Sequence, residues 1–273
     1  MGVSSEVKVV QFVNSLEGLN FHDSSVVHTA GTQLEEFLLS VDADQSDLPP
    51  DLDSARIALA QKLYEQFETN LETSFADFFL RGDAQLKEYI LYDRFKRLIE
   101  AEIKLANIKA SDRVLFIGSG PLPISAILIE QKTGAYVDCF DHSMEACEIS
   151  KEIISKLALS EKIRVIHQSA ESVELPTDNT AGTHGHYDVI VVALLAQPKD
   201  QILHQLWRSV GPFPRIVLRY SEGNRKLIYK GMEFSKATWN NRYELGEHHS
   251  AEANDTISTL VAKTGAQPRI FKI

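Results

Sequence analysis

The sequence predicts an α/β protein, a Rossmann-like doubly wound sheet preceded by an all-helical N-terminal region. Three observations carry this reading. Apolar residues recur at helical spacing up to about residue 108 and then change to short continuous runs. From residue 110 onward those runs alternate with helix-like segments, the order expected of parallel strands joined by crossover helices. The first run ends in Gly118-Ser119-Gly120-Pro121-Leu122-Pro123, a small-residue turn of the kind at which such sheets bind ligands.

The elements follow in order. Leu63, Phe67, Leu71, Phe75 and Phe78 advance in steps of three and four, the stripe of one amphipathic helix. Before it, the acidic stretch from Asp42 to Asp53 holds Pro49-Pro50 and reads as an exposed loop, with Asp53 or Ser54 capping the helix. Arg81-Gly82-Asp83 marks its stop. A second helix is expected from Leu86 to Ile108, with Ile90, Leu91, Phe95, Leu98 and Ile103 apolar and Lys and Glu on its other faces. Beyond it, strands are expected at 114–117, 136–140, 163–166, 187–193 and 215–218. Helices are expected between them at 124–132, 145–157 and 199–209. This organisation implies a helical domain over residues 1–108 and a Rossmann-like domain over residues 109–273, with a sheet of five strands or more.

Composition narrows the partners. The 273 residues carry 28 Lys and Arg against 38 Asp and Glu, a net charge of −10. Phosphate binding needs an excess of base, so neither nucleic acid nor an anionic membrane is an expected partner. A hydrophobic fraction of 44% supplies a full core, yet no apolar run reaches the roughly 20 residues of a membrane span. Two cysteines, Cys139 and Cys147, cannot make a disulfide framework and read as buried thiols of a cytoplasmic protein. The opening MGVSSEVKVVQFV lacks the apolar core of a signal peptide and fits the myristoylation pattern only formally.

The glycine turn brings backbone close to a ligand, with a helix N-terminus behind it. The third glycine of the dinucleotide fingerprint is replaced by Pro123. Proline suits the start of a helix but not the close packing around a pyrophosphate, which counts against NAD or FAD. Asp141, just past the second strand and followed by His142, stands about 20 residues on, where an acid accepts hydrogen bonds from a ribose. It would equally serve as the N-cap of the helix from Met144. Ser169-Ala170-Glu171 follows the third strand, where such sheets often touch an adenine, and Ala193 closes the fourth. Together these positions point to an adenosine ligand without a pyrophosphate. S-adenosylmethionine (SAM) satisfies that description, and the sheet is then of the SAM-dependent methyltransferase fold.

Arg219 and Glu222 follow the fifth strand on the ligand-binding edge. Arg219 would hold a carboxylate of a substrate or form an ion pair on the sheet rim. The pairs His184/His186 and His248/His249 lack a third ligand at zinc spacing, so no protein-bound metal is expected. The segment from Trp239 to His249 lines an acceptor pocket or forms a surface loop.

Three segments carry a resemblance: GSGPLP at 118–123, ALLAQPK at 193–199 and RYSEGNRKLIY at 219–229. They resemble the nicotianamine synthase family, including the bacterial enzymes that build staphylopine- and pseudopaline-type opine metallophores. The likeness is clear from about 110 to 235 and fainter from about 60. It implies transfer of the 3-amino-3-carboxypropyl (aminobutanoyl) group of SAM to an amine, with 5′-methylthioadenosine leaving. The acceptor it implies is a small molecule, an amino acid, with histidine first. Other readings are repeated condensation of SAM to nicotianamine, a small-molecule methyltransferase and a non-catalytic SAM-binding protein. The resemblance makes the helical region an acceptor-site lid and places a catalytic glutamate at Glu72. On spacing alone, Glu65, Glu68 and Glu72 form one solvated helix face. Phe95 stands where the family carries a tyrosine, beside the acceptor, and Tyr92 is positioned one turn away to replace that hydroxyl. A downstream opine-type dehydrogenase and a homodimer are the further partners implied.

Overall fold

The structure, a computed structural model, describes residues 5–40, 47–169, 187–209, 214–232, 243–252 and 255–264. Helices α1 (Ser5–Ser15), α2 (Ser24–Ser40) and α3 (Ser54–Arg81) come first. Asp53 caps α3, its carboxylate accepting from the Arg56 N–H at 2.9 Å. Leu86 to Ile108 is not one helix. A 3₁₀ turn at Leu86–Glu88 precedes α4 (Tyr92–Ala106). Tyr89 and Leu91 are both buried. Two residues apart, they cannot share a helix face, so the chain breaks helical register to bury both. The Glu88 side chain closes the turn by accepting the Gln85 N–H at 2.6 Å.

The sheet has seven strands: β1 (Arg113–Ile117), β2 (Tyr136–Asp141), β3 (Ile163–His167), β4 (Val189–Val192), β5 (Arg215–Tyr220), β6 (Tyr243–His249) and β7 (Ser258–Thr264). Their order is β3-β2-β1-β4-β5-β7-β6. The first five pair in parallel, whereas β6 and β7 are antiparallel. Crossovers are α5 (Ile124–Thr133), α6 (Met144–Lys156) and α7 (Lys199–Ser209). The continuous apolar runs at 114–117 and 189–192 are buried throughout, as expected of strands covered on both faces.

The last two strands are absent from the sequence reading. Described residues 243–249, expected as pocket wall or loop, form edge strand β6. Its exposed Glu244, Glu247 and His248 hide the strand pattern, the usual composition of a protected edge. Gly246 lies against β7, where an added Cβ would stand 2.8 Å from the Val261 carbonyl oxygen. The buried run Leu260-Val261-Ala262 in β7 is the signal that would have revealed this hairpin.

The chain divides into two compact units, Met1–Ser74 with Tyr220–Met232 and Ser250–Ser258, and Phe75–Arg219 with Glu233–His249 and Thr259–Ile273. In the first, Val13, Leu34, Leu38, Leu63 and Phe67 form a helical core. Gly31 lies so close to Phe67 that a Cβ there would stand 2.3 Å from its ring. In the second, the sheet surrounds a buried acid, Asp138. Arg113 and Arg164 pair with it at 2.7 and 3.0 Å, and the Tyr187 hydroxyl donates to it at 2.8 Å. Among the described residues no helix is long and apolar enough to cross a membrane.

Candidate active site

The strand order reverses between β1, which leads outward to β2 and β3, and β4, which leads to β5. Open α/β sheets bind ligands at this switch point, beyond the carboxyl ends of the strands. The turn from Gly118 to Pro123 leaves β1 there. Gly118 and Gly120 adopt φ of +81° and +67°, a conformation that disfavours any side chain. A Cβ on Gly118 would also approach the Cβ atoms of Ala196 and Ala193 to 3.1 and 3.2 Å. The Gly118 N–H donates to the Phe140 carbonyl at 2.7 Å, Pro121 is buried, and Pro123 is the N-cap of α5.

Asp141 ends β2 and faces this turn. Its carboxylate accepts the Gly120 N–H at 2.8 Å and the Ser143 N–H at 2.9 Å. The helix-cap role open to Asp141 belongs to Ser143, whose hydroxyl accepts from the Ala146 N–H at 3.2 Å. Each Asp141 oxygen keeps accepting capacity for a ligand hydroxyl. The Ser119 hydroxyl is buried beside the Cys139 thiol, itself pushed up by burial, and makes no hydrogen bond of normal geometry among the described residues. His142 is 84% exposed at its side chain, with Nδ1 3.6 Å from Asp141 Oδ1. Ser169 is half-buried just past β3, where the neighbouring Gln168 N–H donates to the Asp141 carbonyl at 2.8 Å. Ala193 follows β4, its N–H bonded to the Ile117 carbonyl at 2.9 Å. The described members of the expected adenosine set therefore stand at the ends of four adjacent strands. Ala170 lies outside the described residues, as do Glu171, His184, His186 and positions 239–242.

Arg219 and Glu222 both have partners within the protein. Arg219, 3% exposed, donates through Nε and Nη2 to Glu102 at 2.8 and 2.9 Å and through Nη1 to Ser125 at 3.1 Å. Glu102 is 0% exposed and also accepts from Thr259 Oγ1 at 3.1 Å. Of the two readings of Arg219, the structure shows the ion pair, within the core rather than on a rim. Glu222 accepts from the Tyr220 hydroxyl at 2.9 Å and from Ser258 Oγ at 3.0 Å, one bond to each oxygen.

On α3, Gln61, Tyr64, Glu68 and Glu72 follow one another at helical steps. The Tyr229 hydroxyl donates to Glu68 at 2.5 Å, the Tyr64 hydroxyl to Glu35 at 2.6 Å, and the two rings meet edge to face at 5.2 Å. Glu65 is exposed, but Glu68 and Glu72 are half-buried, so the solvated-face reading holds for Glu65 alone. Among the described residues no group of three or more His, Cys, Asp or Glu side chains is arranged to hold a metal ion.

The family model described as nicotianamine synthase protein matches residues 5–266. The chain belongs to the nicotianamine synthase family. It is 31% identical over 134 residues to the L-histidine 2-aminobutanoyltransferase of Yersinia pestis, covering 49% of this chain and 47% of that protein. The Pseudomonas aeruginosa enzyme of the same name is 32% identical over 130 residues, covering 48% of this chain and 46% of that protein. The match thus spans about half the length of these curated relatives. Nicotianamine synthase 9 of Hordeum vulgare is 28% identical over 207 residues, covering 70% of this chain and 57% of that protein. The solved structure of a glutamate-to-glutamine mutant of MtNAS in complex with S-adenosylmethionine superposes with a TM-score of 0.81. It has 22% identity and covers 97% of this chain and 100% of that one. At that identity the likeness shows the fold.

The position at which the nicotianamine synthase resemblance implies a tyrosine, Phe95, lies in the first turn of α4 and is half-buried. Its ring stacks on Tyr89 at 6.5 Å, and Tyr89 meets Phe75 at 5.1 Å. Tyr92, one turn earlier, is also half-buried. One buried cation beside the switch point has no role in the sequence reading. Lys199, 5% exposed, donates from Nζ to the carbonyls of Ala193, Leu194 and Ala196 at 2.9, 2.9 and 3.1 Å. Burial and the like charge of Arg219 pull its ammonium down to about 7. A lysine opening a predicted helix, where the helix dipole disfavours positive charge, was the signal for it.

Proposed function

We propose that this chain is an aminobutanoyltransferase that moves the 3-amino-3-carboxypropyl group of SAM to the amine of an amino acid, with histidine the first acceptor. The observation carrying this reading is the joining of the glycine turn to Asp141 through the Gly120 N–H at the switch point, in a chain of the nicotianamine synthase family. The residues present fit an adenosyl ligand. Asp141 has acceptor capacity for the ribose hydroxyls, the Ser119 hydroxyl is buried within the glycine turn beside the Cys139 thiol, and Ser169 follows the third strand, where an adenine would be met. Histidine is favoured by the acceptor for which the Yersinia and Pseudomonas relatives are named.

SAM supplies an electrophilic carbon beside a sulfonium. A bond forms between that carbon and the acceptor nitrogen, the carbon–sulfur bond breaks, and the electron pair stays on sulfur in 5′-methylthioadenosine. The amine must shed a proton before or during attack. Glu72 is assigned that proton, and Tyr92 the hydroxyl that orients the acceptor. Residues 109–273 are read as the SAM-binding part and residues 1–108 as the part that supplies Glu72. The setting proposed is cytoplasmic synthesis of a nicotianamine-like metallophore precursor, with an opine-type dehydrogenase consuming the product and a homodimer as the assembly.

A second reading, nicotianamine synthase proper, is favoured by the match to the barley enzyme over 70% of the chain. One experiment separates them. The purified protein is incubated with SAM, with and without histidine, and products are weighed by mass spectrometry. The proposal expects methylthioadenosine and a histidine adduct carrying one aminobutanoyl unit, with little product from SAM alone. Efficient nicotianamine formation from SAM alone favours the second reading. S-adenosylhomocysteine in place of methylthioadenosine overturns both in favour of methyl transfer.

A further inference from the structure

We infer that Lys199 is a positioning residue for the ligand turn at Gly118–Gly120, because its ammonium pins the 193–196 turn against which Gly118 packs. The inference goes beyond the proposed transferase and rests on it only for the identity of the ligand. Lys199 opens α7, yet its side chain reaches back to three carbonyls in succession, those of Ala193, Leu194 and Ala196. Those carbonyls belong to the turn leaving β4. The Cβ atoms of the same Ala193 and Ala196 are the nearest groups to Gly118, at 3.2 and 3.1 Å from where its own Cβ would be. The 193–196 turn is therefore one wall of the glycine turn, and Lys199 is what ties that wall down.

A lysine so deeply placed is ordinarily matched by a carboxylate. Among the described residues Lys199 instead has three neutral acceptors, and the charge acting on it, that of Arg219 on β5, has the same sign and is matched by Glu102 of α4. Three acceptors suit an –NH₃⁺ group, which has three N–H donors, and no neutral amine can serve all three. The pinning accordingly depends on one proton. With the ammonium pulled down to about 7 by burial and by Arg219, that proton is lost within an ordinary working range. Above it one carbonyl is released, and the wall loosens.

The test uses the full chain and two readouts. Hydrogen–deuterium exchange at pH 6.0 and 8.5, corrected for intrinsic rates, reports on the bonded amides of Ala193, Ala196, Gly118 and Gly120. Calorimetry with 5′-methylthioadenosine, which has no group titrating in this range, reports on the ligand turn. Protection is expected to fall roughly threefold to tenfold as pH rises, the worth of one hydrogen bond, and affinity to fall in parallel. Lys199→Met is expected to show low protection and weak affinity at both pH values. Wild-type protection that is flat between the two overturns the role of the proton. Lys199→Met protein with wild-type protection, or with wild-type affinity, overturns the pinning. Should no variant, wild type included, bind the nucleoside at pH 6.0, the SAM reading fails, and the exchange data alone decide the role of Lys199.

Discussion

Glu102→Gln removes the counter-ion of Arg219 while keeping the shape of the side chain. Both members of the pair are enclosed, at 0% and 3% exposure, and the carboxylate accepts two bonds from the guanidinium and one from Thr259. Leaving one partner of such a pair uncompensated costs about 3–5 kcal/mol. The amide oxygen of glutamine returns one hydrogen bond to the guanidinium, about 1 kcal/mol. The expected net loss is therefore about 2–4 kcal/mol, read from equilibrium urea unfolding of wild type and variant. A companion variant carrying both Glu102→Leu and Arg219→Leu strands no charge and should recover to within about 2 kcal/mol of wild type. Because Arg219 is assigned to the core and not to a substrate, a folded double variant should keep its affinity for both SAM and acceptor. Glu102→Gln protein as stable as wild type would refute the ion-pair argument. A stable double variant that binds SAM but no longer binds the acceptor would return Arg219 to the substrate.

Asp141→Ala removes an acceptor for the Gly120 and Ser143 N–H groups as well as for the ligand. Calorimetry on folded protein should show SAM binding weakened by about 1–3 kcal/mol, and unchanged affinity would remove Asp141 from the ribose. Glu72→Gln should slow methylthioadenosine release by about 10²–10⁴ with little change in SAM affinity. Wild-type release would leave Glu72 as an ordinary half-buried side chain. For Asp138, burial pushes the carboxyl up, but hydrogen bonds from Arg164, Arg113 and Tyr187 more than offset this and hold it below 3.8. A carboxyl lowered on folding stabilises fully above its unfolded value, and that contribution disappears as pH falls through the folded value. Asp138→Asn should accordingly cost about 1–3 kcal/mol near pH 7, discounted because half of Arg164 is in water, and should flatten the loss of stability below about pH 4. Urea midpoints at pH 7 and pH 3.5 check both parts.

The sequence by itself determined what depends on neighbours along the chain. Runs such as Val114 to Ile117 and Val189 to Val192 have no polar alternation, so they fit only strands covered on both faces, and the parallel sheet follows. The glycine turn was legible for the same reason, because positive φ at Gly118 and Gly120 is a local demand that glycine alone meets easily. The cap at Asp53 was legible too. What only the tertiary structure decided is which of several chemically equal partners each polar group takes. Asp141 and Ser143 both suit a helix cap, and folding gives the cap to Ser143 because Asp141 is drawn to the Gly120 N–H across the switch point. Arg219 finds its carboxylate 117 positions away in Glu102, and no spacing rule ranks that glutamate above the others. Edge strand β6 carries polar residues because it faces water, so its pattern is that of a loop until β7 lies beside it. Lys199 is in the sequence only the first residue of a helix, and the fold alone turns the chain's own carbonyls around its ammonium. Local periodicity and backbone angles are written in consecutive residues. The pairing of buried charges and hydrogen bonds is set by desolvation, which acts only once distant segments have closed out the water.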